Sequence, residues 1–253
     1  MSDYDRNVAA RGGYQADRAV AIDQGLRAHM IRVYNYMAGG VALTGALAWI
    51  TFQYAVVTNE AGAITALTPF GQALFKGPMM WVLILAPLGL VFFLSFRINS
   101  LQAGTARALF FLYAGLLGVS LASIFMVYTQ ASIARVFFIS AASFGALSLW
   151  GYTTQRDLSG MGSFLIMGLF GLIIASLVNI FLKSSGLDWA LSVIGVLIFA
   201  GLTAWDTQKI KEFYDPMDDG TVAGRKVVMG ALALYLDFIN LFLMMLRLFG
   251  DRR

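Results

Sequence analysis

The stretch KVVMGALALYLDFINLFLMMLRL, residues 226–248, decides the fold class of this chain. A helix needs about 20 predominantly apolar residues to cross the hydrocarbon core of a bilayer, and this stretch supplies them. Its one acid, Asp237, lies about 16 Å from the start of the stretch at 1.5 Å per residue. The sequence therefore predicts a transmembrane helix with a carboxylate near mid-membrane depth.

The composition extends this conclusion to the whole chain. Of its 253 residues, 59% are hydrophobic and 13% are charged, whereas a soluble domain has about 45–50% apolar and 25% charged residues. We predict an all-α integral membrane protein, with a polar N-terminal tail at 1–29 and a transmembrane domain at 30–253. The predicted bundle has seven spans, at 33–56, 79–98, 107–128, 134–155, 161–183, 189–212 and 226–248.

Basic residues in the connections predict the orientation of the bundle. If all seven runs cross, Lys76, Arg135 and Lys183 lie on the side opposite the N-terminus, and the positive-inside rule places the N-terminus in the cytoplasm. Arg247, Arg252 and Arg253 disagree, because a full seventh crossing carries them outside. Either the earlier charges dominate or the last segment does not cross completely. The basic residues on the N-terminal side are Arg18, Arg27, Arg32, Arg97, Arg107, Arg156, Lys209, Lys211, Arg225 and Lys226.

A second acid stands within an apolar run, in FAGLTAWDTQKIKEFY at residues 199–214. This run and the last one cross in opposite directions, so Asp206 and Asp237 lie in the same half of the membrane or near its middle, where they can meet. Arg97, in FLSFRINSLQ, ends a helix on the same side. A charge at the bilayer centre costs at least about 2.5–3.5 kcal/mol. We therefore expect the acids to be stabilised by each other, by Arg97, or by water and a bound cation.

Each of these side chains also has a structural alternative. Asp206 has Lys209 three residues on, and the two can form an ion pair within one helix. Arg97 can extend to the lipid headgroups. Asp237 is too deep for either, and its alternative is a hydrogen bond to a neighbouring backbone or hydroxyl group. Its face of the helix should contact protein, because the other residues there are Gly230, Ala233, Asn240 and Met244.

Several classes of protein are excluded because the sequence lacks the residue types that they need. The chain has no Cys, and its one His, His29, precedes the first span, which excludes thiolate metal sites, bis-His haem and Ser-His hydrolysis. No span carries a mid-helix Lys for a retinal, and no P-loop motif occurs. An aspartyl protease usually has Gly after an Asp, where Thr207 and Phe238 stand here. We expect no enzyme, no cofactor and no nucleic-acid partner, and we favour transport or leak of a cation.

Five segments carry a resemblance to a known family, namely YNYMAGGVALTGALAW, LSFRINSLQAGTARALFFLYAGLLGVSLASIF, VNIFL, FAGLTAWDTQKIKEFY and YLDFINLFLMMLR. They resemble the bacterial members of the Bax inhibitor motif family of transmembrane proteins. The resemblance implies a seven-helix bundle with a central last helix, in the bacterial inner membrane, and a pH-sensitive calcium leak. It also implies that Asp206 and Asp237 are the pH sensor and ion ligands, and that Arg97 latches the pore closed.

The proximity of the two acids suggests how such a leak could respond to pH. Two carboxylates side by side in a low dielectric cannot both ionise cheaply, so we expect the pair to hold one proton and to titrate as a unit. A nearby Arg97 would favour the ionised acid, and protonation would free the last helix. Calcium prefers six to eight oxygens, so two Asp side chains should bind it weakly and partly hydrated. Two alternatives stay open: a proton-coupled transporter of a small solute, and a non-transporting regulator of a membrane complex.

Overall fold

The structure, a computed structural model, describes residues 3–59 and 63–253, with side chains from residue 23 onward. Nearly all of the described chain is helical, as the sequence predicts. A short 3-10 helix, Ile98–Ser100, joins α3 to α4. The other elements are α1 Asp3–Ala55, β1 Val56–Thr58, β2 Ile64–Leu67, α2 Pro69–Phe75, α3 Met79–Arg97, α4 Ala103–Leu121, α5 Ile124–Val127, α6 Gln130–Thr153, α7 Ser159–Leu182, α8 Ser185–Glu212 and α9 Gly220–Phe249.

Six stretches of the described helices are long and apolar enough to cross a membrane. They are α3 with its 3-10 extension, α4 with α5, and α6 to α9, and each lies within a few residues of a predicted span. The predicted first span, 33–56, is the second half of α1 and is not among the six. Polar residues such as Thr44, Thr51 and Gln53 dilute it. The structure thus supports an all-α membrane protein with six such spans, and the seventh stays a prediction.

The last helix, α9, occupies the centre of the bundle. It packs against α1, α4, α6 and α8, and 67% of its most apolar window is buried, against 11% for α3 and for α7. Leu234, Tyr235 and Leu241 are wholly buried. Most of the circumference of α9 therefore contacts other helices, and its stripe of small and polar residues also lies within the bundle.

Two glycines let neighbouring helices approach closely around this centre. A Cβ added to Gly118 of α4 would lie 2.6 Å from the backbone oxygen of Thr44 on α1, and one added to Gly151 of α6 would lie 2.2 Å from that of Ala204 on α8. Real Cβ atoms do not come so near a carbonyl oxygen. Small residues at such crossings are how membrane helices gain van der Waals contact.

Polar caps mark the starts of the two helices that carry the acids. Ser184 accepts a hydrogen bond from the backbone N–H of Leu187 at the start of α8. Asp219 accepts from Thr221 and Val222 at the start of α9, over 2.8 and 2.7 Å. These backbone hydrogen bonds hold the pKa of the Asp219 carboxyl below its usual range. Such caps satisfy N–H groups that have no partner within a helix.

The connection at 57–78, predicted as a loop, contains secondary structure. Strands β1 and β2 form an antiparallel hairpin with Val56 opposite Leu67, and α2 follows, capped by Thr68. Residues 60–62 of this connection lie outside the described residues. The β-branched residues of VVT and ITAL favour strands, but short runs of this kind do not distinguish a hairpin from a loop.

The C-terminus settles whether α9 crosses the bundle. Residues after α9 reach the α5–α6 connection: Tyr128 and Arg252 form a β-bridge, Thr129 donates to the backbone oxygen of Asp251, and Arg135 pairs with Asp251 over 2.6 Å. This end is opposite the α8–α9 connection. The last helix therefore runs the full length of the bundle, which favours the explanation that the earlier charges dominate the orientation.

The proposed boundary between tail and transmembrane domain falls within a helix. Helix α1 is continuous from Asp3 to Ala55, so no break in secondary structure separates 1–29 from 30–253. Residues on both sides of this boundary, His29 and Met30, are buried against the bundle. The division into two parts stays a prediction from hydropathy.

Candidate functional site

Asp206 and Asp237 meet between α8 and α9. Their side chains are close neighbours that line the same cavity, and Asp237 is 4% exposed. Among the described residues, no donor reaches its buried Oδ2. Two carboxylates side by side in a low dielectric cannot both ionise cheaply, which favours one proton on the pair. The predicted meeting of the two acids is confirmed by this geometry.

Two cavities adjoin the pair. The first, which we call the vestibule, has a volume of about 350 Å³ and lies between the end of α8, the start of α9, α1 and the 3-10 helix. The second, which we call the cleft, has a volume of about 580 Å³ and lies between α7, α8 and α9. Asp206 lines both cavities, and Asp237 lines the cleft. The pair therefore stands where the two cavities adjoin.

The cleft is apolar except near the pair and opens to the side of the bundle. Its outer wall includes Ile173, Leu177 and Ile180 of α7, which are half or more exposed. On α9 it is lined from Ala233 to Met244, a length of about 16 Å along the helix. Asp237 and Asn240 supply polar groups on this wall.

The face of α9 predicted to contact protein is the face that lines these cavities. Ala233, Asp237, Asn240 and Met244 line the cleft, whereas Gly230 lines the vestibule. The stripe of small and polar residues thus borders internal space. The prediction that Asp237 points away from the outer surface of the bundle is confirmed by its burial.

The alternative for Asp206, an ion pair with Lys209 within α8, is not formed. The ammonium group of Lys209 lies 4.6 Å from the ring centroid of Trp205 and 5.6 Å from that of Phe213. Among the ion pairs of the described residues there is none between Asp206 and Lys209. A cation over two aromatic faces is stabilised by their quadrupoles, so Lys209 contributes a nearby positive charge without a direct bond.

Arg97 lies close to the vestibule in sequence but does not contact the acids. It is the last residue of α3, and its neighbours Ile98 and Asn99 line the vestibule. The Arg97 side chain itself is exposed, and within the described part of the chain it forms no ion pair. The structure therefore brings Asp206 and Asp237 together and leaves Arg97 apart from them, and its role as a latch stays a prediction.

Other residues of the segment WDTQKIK hold α8 in place. Gln208 accepts from the backbone N–H of Leu158 and donates to the backbone oxygen of Arg156, both over 2.8 Å. Lys211 donates to the backbone oxygen of Tyr152 at the end of α6. These contacts tie the end of α8 to the α6–α7 connection and so position Asp206. The sequence analysis missed them, because their partners are about 50 residues away along the chain.

A buried hydrogen bond positions α9 on its other side. The Tyr235 hydroxyl and Thr44 Oγ1 are 2.6 Å apart, and Thr44 also donates to the backbone oxygen of Ala114 over 2.8 Å. A single hydroxyl proton serves the second bond, so Tyr235 donates in the first. Tyr235 lies two residues from Asp237, and this bond therefore fixes the rotation of the acid-bearing helix against α1 and α4.

His29 was placed in the polar tail by the sequence analysis, but it is part of the bundle. It is 2% exposed, its ring packs on Tyr214 with centroids 5.6 Å apart, and it lines the vestibule. Burial lowers the pKa of His29, and the positive charges of Arg32 and Lys226 lower it further, against an opposing effect of Asp218. Apolar Met30 and Val33, one and four residues on, were the available signal that this part of the helix is buried.

The comparisons with known proteins agree with this architecture. The sequence profile of a family described as inhibitor of apoptosis-promoting Bax1 matches residues 26–253. The chain belongs to this Bax inhibitor family. Among its relatives, a protein of Rickettsia prowazekii (strain Madrid E) is 49% identical over 233 residues, covering 91% of this chain and 92% of the relative. The inner membrane protein YbhL of Escherichia coli K12 is 48% identical over 242 residues, covering 94% and 98%.

The pair offers an incomplete set of ligands for a cation. In the described residues there is no group of three or more His, Cys, Asp or Glu side chains that could hold a metal ion. The two carboxyl groups together have four oxygens, and Asn240 is the nearest further polar residue of the cleft wall in sequence. Calcium at the pair would have to keep several waters to reach six to eight oxygens.

Proposed function

We propose that this Bax inhibitor family protein is a pH-sensitive calcium leak of the bacterial inner membrane, with Asp206 and Asp237 as its sensor and ion ligands. The observation that carries the proposal is the proximity of the two carboxyl groups between the vestibule and the cleft. The proposal includes no catalytic residue and no cofactor. The proposed localisation, with the N-terminus in the cytoplasm, rests on the predicted orientation and on the description of the relative YbhL as an inner membrane protein.

The geometry supports a gated path for a cation. The vestibule and the cleft lead to the pair from opposite sides, and the only described acids that line either cavity are Asp206 and Asp237. An acid at this depth is expensive unless it serves a partner or an ion. In this proposal the packing around Asp206 and Asp237 closes the path between the vestibule and the cleft. A local movement of these side chains or of α9 would open it.

The pair supports the pH dependence because proton and cation compete for the same oxygens. When the pair holds a proton, its negative charge is smaller, so it attracts Arg97 less strongly and α9 is free to move. When the proton leaves, the oxygens are free to bind a divalent cation, which replaces the proton's positive charge. Coordination by few protein oxygens keeps binding weak, as a leak requires.

Arg97 enters the proposal as a latch. The 3-10 helix that follows Arg97 lines the vestibule, so a rotation of the exposed side chain could bring the guanidinium towards Asp206. In that position it would stabilise the ionised carboxylate and tie α3 to the pair. Arg97→Gln should then raise calcium flux under conditions in which the parent is closed, and unchanged flux would remove Arg97 from the mechanism.

The test of the proposal is calcium flux into liposomes at about pH 6 and pH 8. The parent should conduct at rates that differ between the two conditions. Asp206→Asn and Asp237→Asn should each lose this difference, because an amide does not titrate. Asp188→Asn is the matched control, since Asp188 is a half-exposed acid at the far end of α8 near Arg247, and it should behave as the parent.

Two results would contradict the proposal. Equal flux of calcium in parent and empty liposomes would exclude the leak, and pH dependence in both Asn variants would exclude the sensor. If an imposed proton gradient instead concentrates a small solute against its own gradient, the protein is a proton-coupled transporter, because a leak cannot do this. Partners in a pull-down without any flux would favour a regulator of a membrane complex.

A further inference from the structure

The vestibule has a chemical character that a cation path does not explain. Besides Asp206, the lining of the vestibule contains three positively charged side chains, Lys209, Arg225 and Lys226, together with His29. Positive charge in the mouth of a cavity repels cations and attracts anions. The four groups come from three different helices, so local sequence does not account for their convergence.

His29 is the residue that indicates a ligand. It lines the vestibule with 2% of its surface exposed, and no described residue bonds to its buried Nε2. A buried polar atom without a partner costs about 1–3 kcal/mol, so native proteins seldom leave one without a function or a bound molecule. A neutral imidazole with its proton on Nε2 can donate one hydrogen bond into the cavity.

The cationic groups retain capacity for further hydrogen bonds. Arg225 uses its Nε to donate to the backbone oxygen of Leu101, and this leaves its terminal amino groups for another acceptor. Lys226 pairs with Asp218, which uses one of the three donors of its ammonium group. Lys209 stands over aromatic rings rather than over an acid. Each side chain is thus held by one contact and can still donate.

The number and spread of these donors favour a tetrahedral oxyanion. A carboxylate is planar and presents two oxygens, whereas a phosphate group presents three or four in different directions. His29 on α1, Lys209 on α8, and Arg225 and Lys226 on α9 approach the cavity from separate elements. Arg and Lys are the usual phosphate ligands, and hydrogen bonds between charged groups are about twice as strong as neutral ones. A volume of about 350 Å³ accommodates a phosphate group with part of the molecule that carries it.

We propose that the vestibule is a binding site for a phosphate group, either free phosphate or phosphomonoester or the headgroup of an anionic lipid, with His29, Arg225 and Lys226 as its principal donors. The bound group supplies the acceptor that His29 Nε2 lacks and offsets the positive charge at the mouth of the cavity. This inference does not depend on which ion or solute passes the acid pair.

The experiment measures binding to the full-length protein in detergent by calorimetry, with inorganic phosphate as the probe. The parent should bind phosphate, and His29→Phe and Lys226→Gln should each weaken the affinity about tenfold or more, as expected for loss of a hydrogen bond to a charged group. His29→Gln keeps a donor and should recover part of the affinity. Arg156→Gln is the control for net charge, because Arg156 is exposed and lies outside the vestibule, and it should bind as the parent.

A second arm identifies the source of the phosphate group. The same proteins are placed in nanodiscs of phosphatidylcholine with and without phosphatidic acid, whose headgroup is a phosphomonoester. If phosphatidic acid displaces inorganic phosphate from the parent, the ligand is a lipid headgroup; if it does not compete, the ligand is soluble. Absence of binding in both arms, or affinities unchanged in His29→Phe and Lys226→Gln, would overturn the proposal. Circular dichroism and elution volume establish that each variant is folded.

Discussion

The Tyr235 hydroxyl donates a hydrogen bond to Thr44 Oγ1 over 2.6 Å, and Thr44 donates in turn to the backbone oxygen of Ala114 over 2.8 Å. Both side chains are buried, Tyr235 completely and Thr44 at 3% exposed. This chain of hydrogen bonds joins α9, α1 and α4. The Tyr235 hydroxyl donates only to Thr44, whereas Thr44 keeps its own acceptor at Ala114 if Tyr235 is changed.

We expect Thr44→Val to destabilise the protein more than Tyr235→Phe. Removing the Tyr235 hydroxyl leaves Thr44 bonded to Ala114 and should cost about 0.5–1.5 kcal/mol. Removing the Thr44 hydroxyl leaves the buried Tyr235 hydroxyl without its acceptor, which should cost about 1–3 kcal/mol. Unfolding in mixed micelles with increasing denaturing detergent measures both. An equal or reversed order would show that Tyr235 finds another acceptor.

We expect Gly151→Ala to destabilise the contact between α6 and α8. A methyl group there would meet the backbone oxygen of Ala204, so the helices must separate, at a cost of about 1–3 kcal/mol. Gly145 on the same helix has nothing within 4 Å of an added Cβ. Gly145→Ala is therefore the matched control and should be neutral or stabilising by up to about 1 kcal/mol, since Ala favours helix more than Gly does. Thermal unfolding in detergent distinguishes the two variants.

We expect the stability of the protein to fall as the pH decreases below the ordinary histidine pKa of 6.5. His29 has a pKa below that value in the folded protein, because burial and the charges of Arg32 and Lys226 disfavour its protonation. Between the folded pKa and 6.5 the unfolded chain takes up a proton on His29 and the folded protein does not. The stability conferred by the neutral imidazole is therefore complete above pH 6.5 and is lost as the pH falls towards the folded pKa.

The comparison of the parent with His29→Gln isolates this effect from other groups. Asp218 acts in the opposite direction on His29, so Asp218→Asn should lower the folded pKa further, and the loss of stability should begin at the same pH but continue to a lower pH. Thermal melting between about pH 7.5 and pH 5 measures each slope. A slope that persists unchanged in His29→Gln would assign the pH dependence to other residues.

We expect calcium to release protons from the protein if Asp206 and Asp237 bind it. We expect the two neighbouring carboxyl groups to hold one proton between them, and a divalent cation must displace that proton to use the oxygens. Above the dissociation constant, each tenfold rise in calcium should lower the pH midpoint of the pair by about one unit if one proton is exchanged. Proton release can be followed with an indicator dye in weakly buffered detergent solution. Asp188→Asn should retain the release, and Asp237→Asn should lose it.

Much of the fold could be predicted because its signals are local. A run of apolar residues specifies a membrane helix regardless of its neighbours, so six predicted spans match observed helices within a few residues. The hairpin at 56–67 could not be predicted, because its strands are too short for an alternating pattern to stand out. The first predicted span, 33–56, is less apolar than the other six. Thr44 and Thr51 reduce its hydropathy, yet both are buried in the bundle.

The candidate site could be predicted in part. The meeting of Asp206 and Asp237 followed from the opposite directions of two consecutive spans, which need no knowledge of side-chain packing. The surroundings of the pair did not follow. Lys209 was available for a pair with Asp206 but lies over Trp205, Arg97 points outward, and Gln208 binds a connection about 50 residues earlier in the chain.

By itself the sequence determined that this chain enters a membrane, roughly where six of its apolar helices lie, and that two acids on consecutive helices can meet. These are properties of single helices, set by hydropathy and by a rise of 1.5 Å per residue. The family resemblance implied a central last helix, and the burial of α9 agrees with it; only the tertiary structure decided that Asp206 borders two cavities and that His29 belongs to one of them. Such relationships depend on how helices pack around one another, which requires side chains distant in sequence to fit together.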